Sequence, residues 1–334
     1  YNPDLAREIL RIKHNDPEVT CILLMVMDSV VEVDLNGVAS RRLGHILGQN
    51  THVEELSIYD CDRDVSSGLF AGLQNNRCIQ NLYFSGIDLR DTENMSSVAP
   101  FLSNNPSLTG ITFKGSNIGS DSFNILSNAI LNRSEHSLEW LSLNSNHFGD
   151  VNLDELVLAL SWSKNLTRLE LSACGIGLKG CTSLARLLKT HESNLEFLNL
   201  NHNSIDDQSA IILADSLAKN TKLEWLILDD NNGITTPGWS AMLDLVCKRS
   251  SINDVMESNH TLESSGMWSA DLLKASVREL RVNDAILFRA SLHLNGKSNK
   301  MLVARRKILW SHTRGNYNVG ESSIATGTMN RILA

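Results

Sequence analysis

The chain has 334 residues, with 30 Lys and Arg against 38 Asp and Glu and a net charge of −8. With 42% hydrophobic and 20% charged residues it can bury a core and is not a disordered polymer, and its acidity argues against a globally basic nucleic-acid binder. Five prolines and 20 glycines exclude collagen-like and low-complexity chains, and the longest apolar run, Val19 to Met27, is about half of what a membrane helix needs.

The chain opens on Tyr1 rather than Met, as expected of a fragment. Asn2 and Pro3 begin a short amphipathic helix carrying Leu5, Ile9 and Ile12, which ends near Asn15, Asp16 and Pro17. Val19, Ile22 and Leu24 then alternate as a strand. A first repeat strand is expected at Val30, Val33 and Leu35. Only 11 residues separate Ile22 from Val33, too few for a full repeat, so residues 1–29 read as an N-terminal cap of helix plus strand.

From Val53 onward one pattern recurs. Leu138, Leu141, Leu143 and Asn146 form one copy of L-x-x-L-x-L-x-x-N/C. Leu166, Leu169, Leu171 and Cys174 form the next, then Leu195, Leu198, Leu200 and Asn203, then Leu223, Leu226, Leu228 and Asn231. Weaker copies run through Val53, Leu56, Ile58 and Cys61, through Ile79, Leu82 and Phe84, and through Leu108, Ile111 and Phe113; a degenerate one lies at Ile252 and Val255. The second leucine falls at positions 56, 82, 111, 141, 169, 198, 226 and 255, so the gaps are 26, 29, 30, 28, 29, 28 and 29. The L-x-L alternation is the period of a strand. The Asn or Cys that follows turns the chain, and its buried side chain can bond backbone groups of neighbouring turns.

Between strands each unit carries apolar residues at helical spacing: Leu153, Leu156, Val157 and Leu160; Leu184, Leu187 and Leu188; Ile211, Ile212, Ala214 and Leu217. Asp121, Asp206 and Thr236 with Pro237 are cap candidates. One strand–turn–helix unit cannot bury its leucines alone, whereas stacked units form a parallel sheet on a concave face and helices on a convex face. The fold class is therefore α/β, a horseshoe solenoid with capping elements, its repeats spanning residues 30–262 in eight to nine units. After Leu262 the pattern stops. Residues 263–334 read as a largely helical C-terminal cap and a truncated basic tail, with apolar clusters at Trp268, Leu272 and Leu273, at Ala285 to Phe288, and from Met301 to Trp310.

With units of 28 to 29 residues, long enough for a true α-helix, the pattern resembles the ribonuclease-inhibitor-like class of leucine-rich repeats, over roughly residues 30–262. The segment Asn295 to His312 is similar to a C-terminal pattern in large uncharacterised families of microalgal repeat proteins, a resemblance that implies no activity.

Side chains between the inward leucines face outward. The position before the second leucine carries Glu55, Asn81, Gly110, Trp140, Arg168, Phe197, Trp225 and Asp254. Four consecutive units thus present Trp140, Arg168, Phe197 and Trp225, a stripe of roughly 15 Å at a strand spacing of about 4.8 Å. Two residues on come Tyr83, Glu170 and Asn199; the next column holds Tyr59, Lys114, Asn144, Asn201 and Asp229. Trp, aromatic and Arg side chains dominate interface hot spots. The competing reading is that the rings serve the sheet and stack on one another.

Charge is unevenly placed. Residues 263–334 hold 11 Lys and Arg and 5 Asp and Glu, net +6, which leaves 19 and 33, net −14, for residues 1–262. Arg305, Arg306 and Lys307, with Lys297 and Lys300 upstream, form a basic patch that is a solvated face, docks on the acidic solenoid, or meets an acidic partner, a membrane surface or nucleic acid. The six cysteines form neither a disulfide framework nor a C-x-x-C motif, so they read as reduced, in a cytoplasmic or nuclear setting. Cys174 and Cys181 read as structural. The sequons at Asn94, Asn132, Asn165 and Asn259 are about what chance gives in a chain this rich in Asn and Ser. His147, His202 and His260 read as turn residues. With no zinc spacing and no phosphate-loop, dinucleotide or nucleophile-elbow motif, no metal, cofactor or catalysis is expected.

The expected function is a non-catalytic protein-interaction scaffold that binds its partner in the concavity, with no nucleic acid and no membrane span. The alternatives are a GTPase-activating-protein-like regulator of a small GTPase, which resemblance to one branch of the class implies, and the sensor half of a larger receptor. The basic tail departs from the acidic tail of that GTPase-regulating branch.

Overall fold

A computed structural model describes residues 3–25, 37–59, 63–133, 137–150, 153–190, 193–246, 259 and 261–262. In chain order the elements are α1 (Pro3–Lys13), β1 (Cys21–Met25), α2 (Gly37–Gln49), β2 (Glu55–Tyr59), α3 (Arg63–Leu73), β3 (Asn81–Ser85), α4 (Thr92–Asn104), β4 (Gly110–Lys114) and α5 (Ser120–Leu131). They continue with β5 (Trp140–Ser142), α6 (Leu153–Ser161), β6 (Arg168–Glu170), α7 (Leu178–Lys189), β7 (Phe197–Asn199), α8 (Asp207–Leu217), β8 (Trp225–Ile227) and α9 (Thr236–Val246). The eight strands form one open parallel sheet in sequence order. Each connection is a helix, as parallel strands require. Consecutive helices pack on one another along one side, and the leucines of every unit are sealed between that layer and the sheet: Leu141, Leu143, Leu169, Leu171, Leu198, Leu200, Leu226 and Leu228 are all 0% exposed. This is an open α/β solenoid of strand–helix units.

Three backbone devices repeat from unit to unit. Before each of β1–β7, one carbonyl accepts two N–H groups of the next unit; Glu139 O takes Thr167 N and Arg168 N, and Thr167 O takes Glu196 N and Phe197 N. After each of β3–β8 comes a residue with positive φ: Gly86, Gly115, Ser145, Ala173, His202 and Asp230, each four residues past the second leucine. The N–H groups of Gly86, Gly115, Ser145, Ala173 and His202 donate to carbonyls of the following unit. The inter-unit ladder therefore runs well beyond the three residues assigned to each of β5–β8.

The third device is the asparagine ladder read from the sequence. Asn146 Nδ2 donates to Phe113 O (2.5 Å) and Leu143 O (2.9 Å), and its Oδ1 accepts from Ser116 N (2.9 Å). Asn203 and Asn231 repeat this arrangement, and the Cys174 thiol donates to Leu143 O at 3.1 Å.

A second ladder, which the sequence reading missed, runs along the other edge. Asn76 Nδ2 donates to Leu47 O (2.7 Å) and Asn50 O (3.3 Å), while its Oδ1 accepts from Cys78 N and Ile79 N. Asn50, Asn105 and Asn220 act likewise. Arg133 fills one rung with its guanidinium, donating to the carbonyls of Leu102, Asn105 and Leu108. Burial lowers its pKa to about 10, so it stays charged at neutral pH.

Several expectations shift. The strand beside β2 is β1, with Ile22 opposite Leu56; the Val30–Leu35 strand lies outside the described residues, as do the copy at Ile252 and Val255, Asp254, His260, the residues 263–334 and the basic patch Arg305, Arg306 and Lys307. The next rung after Asn220 is Asn259, which donates to Leu217 O and Asn220 O as Asn76 donates to Leu47 O and Asn50 O. In α8, Ile211 is 38% exposed and Leu213 takes the core position. Asp121 lies in the first turn of α5 and Gly119 is its cap residue, whereas Asp206 does cap α8 by accepting from Ser209 N. The start of α9 is held from the preceding unit, Asp207 accepting from Thr235 N (2.7 Å) and Gly238 N (3.0 Å). Burial opposes ionisation of that carboxyl, but the Thr235 hydroxyl, which donates to its other oxygen at 2.6 Å, and these two N–H groups outweigh it and its pKa is lowered. Asp150 serves α7 in the same way.

Candidate functional site

The strand pairing sets Glu55, Asn81, Gly110, Trp140, Arg168, Phe197 and Trp225 in one row across the open sheet face. The row beside it holds Ser57, Tyr83, Thr112, Ser142, Glu170, Asn199 and Ile227. Side chains stand out from this face because the intervening leucines are drawn into the core. Arg168 is exposed, whereas Trp140, Phe197 and Trp225 are half-buried.

The half-burial of Trp140 has a local cause. Its neighbour in the row is Gly110, and a Cβ there would lie 2.2–2.3 Å from atoms of the indole. The ring therefore lies over a position that carries no side chain. It meets Tyr83 at a centroid distance of 5.2 Å and an interplanar angle of 41°. Burial pushes the Tyr83 phenol pKa up, and nearby Glu55 adds to the shift.

Arg168 is held on two sides. Its guanidinium carbon lies 4.0 Å from the Phe197 ring centroid, and Nε donates to Glu170 Oε1 at 2.6 Å. The other Glu170 oxygen accepts from Asn144 Nδ2 at 2.6 Å, and Asn144 Oδ1 accepts from Ser172 N at 2.8 Å. With half the Arg168 side chain exposed, the ion pair contributes little to stability. Its effect is to hold the guanidinium over the Phe197 ring.

Asn199 Oδ1 accepts from Asn201 N, and Asn201 Oδ1 accepts from Asp229 N. Asp229 Oδ1 is buried and accepts no hydrogen bond among the described residues. Five of the eight sheet residues singled out from the sequence thus form two groups: Tyr83 with Trp140, and Arg168 with Glu170 and Phe197. Asn199, Trp225 and Asp229 continue the face beside them. Gly110 and Asn144 were missed as determinants of the first and second groups. A lone glycine in a strand is the signal that a neighbour approaches closely.

Cys174 and Cys181 are buried, and burial pushes both thiols up to about 12. His147 and His202 are exposed turn residues, and His202 Nε2 lies 3.1 Å from Asp230 Oδ2. Among the described residues, no group of three or more His, Cys, Asp or Glu side chains is placed to hold a metal ion. No helix among them is long and apolar enough to cross a membrane.

A leucine-rich-repeat family model matches residues 163–185 and 191–214. Over 93 residues the chain is 39% identical to NACHT, LRR and PYD domains-containing protein 5 of Mus musculus, a stretch that covers 28% of this chain and 8% of that protein. Among solved structures, the Rad7–Elc1 complex of yeast is similar at TM-score 0.45 and 16% identity, covering 77% of this chain and 64% of that one. An internalin of Listeria monocytogenes is similar at TM-score 0.41 and 16% identity, covering 78% and 74%. The stretches 163–185 and 191–214 are thus similar to leucine-rich repeats.

Proposed function

We propose that the chain is a non-catalytic protein-interaction scaffold whose partner lies on the concave sheet face, anchored by Trp140, Arg168, Phe197 and Trp225. The observation that carries this reading is pre-ordering. The indole lies on Tyr83 and the guanidinium on Phe197 before any partner arrives. Large side chains already fixed in one rotamer lose little entropy on association, where a free one costs about 0.5–1.5 kcal/mol. Solenoids of this kind commonly bind through the concave surface. Within this reading residues 1–29 cap the first end, residues 30–262 carry the surface and residues 263–334 cap the second.

The test is a crosslinking pull-down from native extract with wild-type protein beside the Trp140→Ala/Trp225→Ala double variant. Loss of a wild-type partner, at ~2 kcal/mol or more in total for two hot-spot truncations, supports the reading. A partner retained at wild-type affinity refutes it.

A second reading, the recognition half of a larger receptor, is favoured by the match to a protein whose name joins leucine-rich repeats to NACHT and PYD domains. The open reading frame that contains this chain decides between them. The small-GTPase regulator gains no support from the site, and a GTP-hydrolysis assay tests it directly.

A further inference from the structure

The three aromatic residues of the first row share one sequence context. Glu139 precedes Trp140, Glu196 precedes Phe197 and Glu224 precedes Trp225, whereas the cation of the row, Arg168, follows Thr167. The backbone sets these four preceding residues in register: Thr167 N donates to Glu139 O, Glu196 N to Thr167 O and Glu224 N to Glu196 O. All three glutamates are exposed. The edge of the sheet face, one residue from the aromatic row, is therefore lined with carboxylates. The cations of the same units lie elsewhere. Lys179, Arg186 and Lys189 are on α7, and Lys164, Lys219 and Lys222 are in the loops that lead to β6 and β8. Residues 193–246 hold eight carboxylates and two lysines.

The face already holds one guanidinium of its own. Arg168 has the Phe197 ring 4.0 Å away and the Glu170 carboxylate at 2.6 Å, a ring beneath and a counter-ion at the side. Trp140 with Glu139 offers the same two components. So does Trp225 with Glu196, whose carbonyl accepts from Trp225 N at 2.9 Å. Tryptophan is the better ring for a cation, and among the described residues no cation lies over either indole.

We propose that the open face takes arginine side chains of an extended segment of a protein partner, one guanidinium on Trp140 beside Glu139 and a second on Trp225 beside Glu196. This rests on the concave-face reading above and adds the chemistry of the partner. The two indoles lie on β5 and β8, three strand intervals or roughly 14 Å apart, and an extended chain covers that in four residues at about 3.4 Å each. The matching segment therefore carries arginines at i and i+4 and runs across the strands. Lysine fits less well, because its ammonium is a compact, strongly hydrated charge, whereas a guanidinium stacks on a ring and forks onto a carboxylate. An acidic segment is repelled by the glutamate edge.

The test titrates the full chain with four serine–glycine peptides, carried to millimolar concentration and read by protein tryptophan fluorescence, to which the peptides contribute nothing. They hold two arginines at i and i+4, two adjacent arginines, two lysines at i and i+4, or two glutamates at i and i+4. The spaced arginine peptide should bind several-fold more tightly than the adjacent arginine and the lysine peptides, and the glutamate peptide should not bind. Glu139→Gln/Glu196→Gln should weaken it about 3–10-fold, the scale of two exposed charge contacts, and Trp140→Ala/Trp225→Ala should abolish the fluorescence response. Asp121→Asn/Glu155→Gln makes the same change of charge on the helices α5 and α6 and should leave affinity within about 2-fold. The peptide series on wild-type protein holds even if a variant misfolds. No binding of the spaced arginine peptide, equal binding of the arginine and glutamate peptides, or equal losses in the two charge variants each overturn the proposal. Capture of a native partner is scored separately. A partner held by wild type and lost by Trp140→Ala/Trp225→Ala, with no preference among the peptides, removes the arginine assignment and leaves the concave-face reading standing.

Discussion

Gly110→Ala tests whether the site is pre-ordered by a missing side chain. The added Cβ would lie 2.2–2.3 Å from the indole of Trp140, against ordinary carbon contacts of about 3.5–4.0 Å. The ring must therefore shift by more than about 1 Å, and the 5.2 Å contact with Tyr83 cannot survive. That pair contributes about 0.5–1.5 kcal/mol beyond its buried area. Alanine recovers roughly 0.5–1 kcal/mol over glycine in a strand interior. Global stability should thus stay within about 1 kcal/mol of wild type, while Trp140 becomes mobile and exposed. Acrylamide quenching and near-ultraviolet circular dichroism read the ring directly, and urea unfolding reads stability. A partner that uses Trp140 would bind about 2–10-fold more weakly, the cost of re-ordering one side chain. Unchanged quenching and an unchanged aromatic signal would refute the argument that Gly110 sets the indole.

Three further predictions concern the frame that carries the site. Asn146→Ala removes the groups that bond Phe113 O, Leu143 O and Ser116 N; at about 1–3 kcal/mol for each buried group left unpaired, a loss of ~4 kcal/mol is expected from urea unfolding, and a loss below ~1 kcal/mol contradicts the ladder. Ala173→Gly should be neutral or stabilising by up to ~1 kcal/mol despite the usual sign of Ala→Gly, because Ala173 holds φ 54° and only glycine enters that region freely; clear destabilisation would show that the turn imposes no strain. In native protein at pH 8, maleimide or iodoacetamide should label exposed Cys21 and spare Cys174 and Cys181, whose thiols burial keeps protonated; labelling of all three at equal rates would place the pair outside the core.

The leucine spacing was legible because a buried strand residue has no alternative neighbour: Leu141, Leu169, Leu198 and Leu226 had to share one side, and the outward row followed from alternation. How the side chains of that row lean was not legible. Trp140 lies over Gly110 and Arg168 over Phe197 because of what the adjacent strand offers, and adjacency of strands becomes specific only once the register is known. The positive-φ column was announced by Gly86 and Gly115 and then hidden by Ser145, Ala173, His202 and Asp230, residues whose types do not demand that conformation. The second asparagine ladder could have been read, since Asn50, Asn76, Asn105, Asn220 and Asn259 each precede a buried Val, Ile or Leu by three residues. Arg133 interrupts its period. The Asn259 rung follows Asn220 by 39 residues, well outside the regular gaps, so a periodicity search steps past it.

The ladder bonds that join each unit to the next have a mechanical meaning. They run across the chain direction and, among the described residues, link each unit to its immediate neighbours. A force applied between the two ends of the solenoid therefore loads one seam at a time, as in a zipper, and not all seams together as in a shear-loaded sandwich. Extension should proceed in steps of one unit, each releasing 28 to 30 residues in the regular stretch from Leu82 to Leu226, or about 100 Å of contour. The molecule can thus yield at one end under load while the four-strand platform bearing Trp140, Arg168, Phe197 and Trp225 keeps its shape.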